Sequence, residues 1–274
     1  VTAGHGSGAR GGLGPAYLDV SGTSFLDFAR VVAPDVVSAR LDVAPAPEQT
    51  HATTIVALSY AGGVVMAGDR RATAGSMIAH REIEKVFPAD RSCVIGIAGT
   101  AGIGLELVRL FQLELEHYEK IVGTPLSLEG KANRLAHLVR ANLELAARGL
   151  LALPLLAGFD AAAAAARLYS YDAVGGRYAE RNHHAIGSGA IFARGTLKNL
   201  WHTHLTESEG VEIAVASLLD AADDDSATGG VDLVRGIFPV VAVVDEGGYR
   251  RIGDLELAGH VERILALRSQ ARRD

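Results

Sequence analysis

Two short β-branched runs open the informative part of the chain. "TTIVALSY" and "VVMAGDRR" are separated by "AGG", and together they read as a hairpin beginning at Thr53. Because "IVAL" and "VVMA" are apolar at every position rather than at alternate ones, both faces of these strands are expected to be covered. "KVFPADRSCVIGIAGT" predicts a further strand pair. In "IGLELVRLFQLELEHYEKIV", Leu105, Val108, Phe111, Leu115 and Tyr118 recur at intervals of three and four, which predicts a helix. A second long helix is predicted after Pro125, over "GKANRLAHLVRANLELAARGLLAL". Strand-like segments follow at "RLYSYDAVGGRYAE" and "HHAIGSGAIFA", then a helix at "GVEIAVASLLDAADD". Strands at "GIFPVVAVVD" and "YRRIGD" come next, and a helix at "LELAGHVERILALRSQARR" closes the chain. Strand pairs, two helices, more strands and then helices describe an α+β protein in which sheet packs on sheet with helices outside.

Residues 1–52 have a different texture. "GHGSGARGGLG" opens them, "APAPEQTHA" closes them, and four of the chain's eight prolines fall there, so the stretch orders poorly unless something holds it. Behind the potential cap Thr23, Phe25, Phe28 and Val32 stand at near-helical spacing. The segment reads either as a solvated tail with a short sticky patch or as a removable leader or assembly arm.

Composition narrows the class. With 26 basic against 32 acidic side chains the 274-residue chain carries a net charge of −6, which argues against nucleic acid or an anionic membrane surface as partner. "LLALPLLAGFDAAAAAA" comes nearest to a membrane span and is broken by Pro154, Gly158 and Asp160. No basic segment followed by an apolar one marks a secretory signal at the N-terminus. A single cysteine, Cys93 in "CVIGIAG", allows no internal disulfide and reads as a buried thiol in a reducing compartment, so a cytoplasmic protein is expected. Of the histidines, His183 and His184 adjoin, and His202 and His204 alternate. No carboxylate or cysteine recurs at a telling interval beside them, and neither a metal nor a cofactor is expected.

Thr53 carries the candidate chemistry. A threonine hydroxyl is a weak nucleophile without a base, but a threonine that begins a chain has one in its own α-amine. That amine has an unperturbed pKa near ~8, against ~10.4 for lysine, so roughly one amine in ten is free to accept a proton at neutral pH. Removal of residues 1–52 would make Thr53 such a residue. Threonine pairs also begin many ordinary strands, and the pattern alone does not choose between the two.

The blocks "TTIVALSYAGGVVMAGDRRATAG", "REIEKVF", "GIAGTAG", "LELEHYEK", "LLALPLLAGFD", "AIGSGAIFA" and "DDDSATGG", in this order, resemble the β-type subunits of bacterial proteasomes from about Thr53 to Val244. The resemblance implies an N-terminal-nucleophile hydrolase fold, a four-layer αββα sandwich of two antiparallel sheets face to face with helices outside. It also implies a propeptide, residues 1–52, cut off autocatalytically between Ala52 and Thr53, and a mature peptidase domain over 53–274. Matched residue by residue, Thr53 is the nucleophile, Lys85 the cation beside it and Asp69 the carboxylate paired with that lysine. Gly99 supplies the oxyanion-hole N–H, while Ser188 and Asp225 hold the terminal amine, with Thr228 where relatives often carry serine.

Family members usually place glycine before the nucleophile, and Ala52 stands there in this chain, a departure that bears on the rate of self-cleavage. Ala72, Ile83, Ile97 and Ala101 match the wall that receives the substrate side chain and imply a preference for apolar residues. Thr73 matches a position that binds extended substrate through its backbone. The implied assembly is two heptameric β rings capped by α-subunit rings, served by a ring ATPase that delivers tagged protein substrates. A non-catalytic ring subunit, and a sister two-ring threonine protease with a different ATPase, are the alternatives. The sister family's usual "GDGQ" is "GDRR" here.

Overall fold

The computed structural model describes residues 53–271, so the readings made for residues 1–52 lie outside the described residues. Twelve strands are described. The first sheet contains β1 (Thr54–Tyr60), β2 (Gly63–Gly68), β10 (His183–Gly187), β11 (Val240–Asp245) and β12 (Gly248–Arg251), in the order β10-β1-β2-β11-β12. The second runs β5-β6-β7-β8-β9, from β5 (Val86–Asp90), β6 (Cys93–Gly99), β7 (Ala152–Asp160), β8 (Ala165–Tyr171) and β9 (Arg177–Glu180). A two-stranded ribbon, β3 (Ala72–Ala74) with β4 (Met77–His80), stands apart. All pairings within the sheets are antiparallel.

Burial explains why the first strands are apolar at every position. Along β1, Ile55 and Ala57 point into the seam between the sheets, where they meet Met66, Val94, Leu155 and Ala242. Val56 and Leu58 point the other way, under the helices α4 (Ala190–Leu200), α5 (Glu207–Asp224) and α6 (Asp254–Ala271). The second sheet repeats the arrangement. Cys93, Ile95 and Ile97 of β6 face α1 (Ala101–Val122) and α2 (Leu128–Ala141), and Val94 and Ala98 face the seam. At Gly96 an added Cβ would lie 2.5 Å from Ile55 Cγ2, so the absence of a side chain lets the sheets approach. Three apolar seams separate four layers, and the expected αββα sandwich is what the chain forms.

Several boundaries differ from the sequence reading. The second helix does not run through "GLLAL": α2 stops at Ala141, where the Asn142 side chain donates to the Leu138 carbonyl, and only a short α3 (Leu143–Ala147) follows. Gly149, at φ +80°, then turns the chain into β7. "LLALPLLAGFD" is thereby a central strand, and its proline is tolerated because pairing with β8 begins only at Leu155↔Ser170. "SGAIFA" is not strand: β10 ends at Gly187 and Ala190 already belongs to α4, whose Ala190, Ala193 and Leu197 are buried at helical spacing. On α1 the buried face is Leu107, Val108, Phe111 and Leu115; Leu105 faces a cleft and Tyr118 is exposed. The helix at "GVEIAVASLLDAADD" begins earlier, at Glu207, because Thr206 and Glu209 form a capping box.

Candidate active site

Thr53 immediately precedes β1 and is 4% exposed. Its carbonyl accepts a hydrogen bond from the Ser188 amide at 3.0 Å, where the end of β10 closes over it. Gly187 permits that closure: it sits at φ +98°, and a Cβ there would lie 1.6 Å from the Thr53 carbonyl oxygen.

Asp69, at the end of β2, is fully buried and has both oxygens occupied. Oδ1 accepts from the Thr54 amide at 2.9 Å and from Lys85 Nζ at 2.8 Å. Oδ2 accepts from the amides of Arg71 and Gly229, each at 2.9 Å. Lys85, just ahead of β5 and 6% exposed, also donates to the Arg71 carbonyl at 2.5 Å. The Lys85 carbonyl accepts from the Ile97 amide at 2.9 Å, which fixes its segment to β6. Burial pushes the Lys85 ammonium below its ordinary pKa, against the pull of the Asp69 carboxylate. The heads of β1, β2 and β5 therefore bring a hydroxyl, a carboxylate and a lysine together where water is scarce. A cation so placed favours the ionised form of a neighbouring hydroxyl and the anion that forms when that hydroxyl attacks a carbonyl.

One cleft opens onto this group. Thr53, Lys85 and Gly99 line it together with Ala72, Ile83, Ile97 and Ala101. Phe87, Gly104 and Leu105 extend its apolar wall, and Glu84, a charged residue that the sequence reading did not include, also lines it. The Glu84 carboxylate is held by Arg251 Nη1 at 2.7 Å. Gly99 stands at φ +111°, and a Cβ there would lie 2.2 Å from the Leu151 carbonyl oxygen, so this turn at the cleft admits only glycine. Thr73 lies next to Ala72 in β3, buried, and is not among the residues lining the cleft. Ala52 lies outside the described residues.

Ser188, Asp225 and Thr228 form a second group beside the first. Ser188 Oγ donates to Asp225 Oδ2 at 2.5 Å and Thr228 Oγ1 donates to the same oxygen at 2.6 Å. Thr228 Oγ1 also meets Thr54 Oγ1 at 2.6 Å, and the Gly189 amide donates to that Thr54 hydroxyl at 3.0 Å. The sequence reading gave Thr54, Gly187, Gly189 and Gly229 no role. The signal available for two of them was the "GSG" around Ser188: a Cβ on Gly189 would lie 2.5 Å from the Thr54 hydroxyl.

His183 and His184 are engaged away from the cleft. His184 meets Glu180 at 3.1 Å and Arg194 at 3.0 Å, and His183 packs against the Trp201 ring. Among the described residues no three His, Cys, Asp or Glu side chains stand together as a metal site, and no helix is long and apolar enough to cross a membrane. Cys93 is fully buried, and burial pushes its thiol well above its ordinary pKa.

A four-layer αββα sandwich with a threonine at the head of β1 and a buried lysine–carboxylate pair beside it has the architecture of the N-terminal-nucleophile hydrolases. The family model for proteasome subunits matches residues 49–235. A proteasome subunit beta of Acidothermus cellulolyticus is 55% identical over 271 residues, covering 96% of this chain and 93% of that relative. One from a Parafrankia species is 50% identical over 266 residues, covering 96% and 97%. The chain belongs to the proteasome subunit family, and its similarity is to the β-type subunits.

Proposed function

We propose that this chain is a catalytic β subunit of a proteasome core, a threonine endopeptidase whose nucleophile is the Thr53 hydroxyl and whose base is the α-amine of the same residue. The observation that carries the reading is the cleft that Thr53 and Lys85 line together, with the lysine held by fully buried Asp69. In this mechanism the Thr53 hydroxyl attacks a peptide carbonyl while the freed amine takes its proton; the amine returns the proton to the leaving nitrogen as the C–N bond breaks, and water then cleaves the resulting Thr53 ester to release the acid and restore the hydroxyl. Lys85 keeps its charge through Asp69, stabilises the oxyanion of Thr53 and discourages protonation of the nearby amine. The Gly99 N–H stabilises the tetrahedral intermediate. Asp225, with Ser188 and Thr228, orients the amine.

The amine exists only after residues 1–52 have been removed, by cleavage between Ala52 and Thr53, so the chain is made as a zymogen. Substrate enters as an extended strand beside β3, along the backbone at Thr73, and its side chain enters the cleft. The apolar lining at Ala72, Ile83, Ile97 and Ala101 supports cleavage after apolar residues.

Family membership supports assembly into a multi-subunit core, and α1 leaves Leu110, Leu113 and Ile121 exposed, as a helix awaiting another subunit does. The reading extends to two heptameric β rings between α rings in the cytoplasm, fed by a ring ATPase with tagged proteins. Enclosure restricts an unselective cleft to threaded chains. The test is a Thr53→Ala variant beside wild type: it should assemble, retain residues 1–52 and hydrolyse no peptide. Hydrolysis at the wild-type rate by purified variant particles would refute the assignment.

A further inference from the structure

A separate cleft, with Thr53 outside its lining, borders the segment that follows Asp69. Its walls come from the turn after β2, the turn after β4 and the loop between α5 and β11. Three arginines line it, Arg70, Arg71 and Arg81. Asp232 is the acidic residue of this lining, and it is already committed: Arg235 Nη1 holds its Oδ2 at 2.7 Å and the Arg235 amide holds its Oδ1 at 3.0 Å.

Neutral acceptors fix two of the guanidinium groups without cancelling their charge. Arg70 Nη2 donates to the Glu82 carbonyl at 3.1 Å, and Arg71 Nη1 donates to the Ser226 carbonyl at 2.8 Å. Arg70 Nε is buried and has no hydrogen-bond partner among the described residues. Burying an N–H of a charged group unpaired is costly, and collecting three like charges around one hollow adds repulsion. Ile237, Phe238 and Pro239 form an apolar wall that strengthens the field inside.

We propose that this cleft is a binding site for a phosphate-class dianion, gripped by Arg70, Arg71 and Arg81. A guanidinium presents paired N–H donors in the geometry that a phosphate accepts. A dianion matches the surplus of charge better than a single carboxylate, which would leave two guanidinium groups uncompensated. The site is tied to the candidate active site through the backbone. The Arg71 amide donates to Asp69, the Arg71 carbonyl accepts from Lys85, and the Gly229 amide, from the same loop wall, donates to Asp69.

The test is calorimetric titration of inorganic phosphate into assembled particles in a phosphate-free buffer. Wild type is compared with Arg81→Ala, an exposed position outside the Thr53 cleft, and with Arg70→Met. Because heat rather than turnover is read, Thr53→Ala particles serve equally, and failure of the proteolytic reading would not disturb the result. Phosphate should bind wild type saturably at one site per chain. Each substitution should weaken binding by about tenfold or more, the equivalent of one lost charge-assisted contact.

Acetate at matched ionic strength should not displace the phosphate. Absence of binding to wild type, or equal binding by wild type and both variants at unchanged thermal stability, would overturn the proposal. Displacement by acetate at equal concentration would overturn the phosphate assignment in favour of a carboxylate. Failure of both variants to assemble, with no phosphate bound by wild type, would also overturn it and assign the three arginines to contact between copies of the chain.

Discussion

The described residues contain two buried lysine–aspartate pairs. Lys85 and Asp69 stand 2.8 Å apart at the heads of β5 and β2. Lys131 of α2 and Asp90 at the end of β5 stand 2.5 Å apart beneath the other helix layer. Both lysines are almost wholly enclosed, 6% and 2% exposed. Their surroundings separate them. Lys85 opens on a cleft shared with Thr53. Lys131 donates to Ser92 Oγ at 2.6 Å, while Asp90 also accepts from the Ser92 amide at 2.8 Å and from Cys93 Sγ at 3.2 Å, so this pair ties the β5–β6 turn to α2.

Their electrostatics differ as well. Burial dominates at Lys85 and lowers its pKa. At Asp90 burial alone would raise the carboxyl, but the bond from Lys131 and that ammonium's charge overcome it and hold Asp90 below the usual range. A buried ion pair is therefore not by itself a site. It becomes one where it faces a group with chemistry to do and a space for substrate.

The sharpest way to break this comparison is to remove each lysine in turn. Lys85→Ala should lower peptide hydrolysis on the order of 10³-fold, the scale on which loss of an electrostatic stabiliser is felt. It should also destabilise the chain by about 3–5 kcal/mol, because Asp69 is left buried and unpaired. Lys131→Met should cost about 3 kcal/mol for the same reason, yet particles that still fold should hydrolyse peptide within about twofold of wild type. Denaturant unfolding and initial rates measure both, and a large rate loss in the Lys131 variant would erase the distinction.

pH sharpens the contrast further. The folded pKa of Lys85 lies below its ordinary 10.5, so its charge is lost as pH rises through that lower value. The alkaline fall in kcat/KM should begin below pH 10.5. Between the folded and unfolded values the unfolded chain binds the extra proton, so the Lys85 contribution makes stability rise with pH there. Asp90 has the same sign at the acid end of the scale. Its folded value lies below 3.8, so its stabilisation is full above that pH and is lost as pH falls through the folded value. Asp90→Asn should remove that acid-limb loss from unfolding curves and leave the alkaline rate limb in place. The smallest expected effect is that of Ser92→Ala, about 1–2 kcal/mol from loss of the hydrogen bonds its hydroxyl makes with Lys131 and Asp90, with no change in rate.

The layered architecture was legible because β1 and β2 are apolar on both faces, which only two covered sides explain. β7 was hidden because Pro154 and its run of alanine and leucine suit strand and helix equally, and its position between β6 and β8 decides the matter. The start of α4 was hidden by "AIF", whose helical spacing emerges only with Ala193 and Leu197. At the site, Thr53 was raised by the chemistry of a terminal threonine, although it could have passed as an ordinary strand start; Asp69, Lys85, Gly99, Ser188, Asp225 and Thr228 were named through family resemblance. The backbone donors of Gly189 and Gly229 carry no side-chain signature and become visible only once the loops close on Thr54 and Asp69.

The most direct measurement is the N-terminal sequence of peptidase-active particles, with Thr53→Ala particles prepared alongside. Wild-type chains should begin at Thr53, and the variant should keep residues 1–52 and show no hydrolysis. Active particles whose chains begin at any other residue would contradict a mechanism that places nucleophile and base in one amino acid.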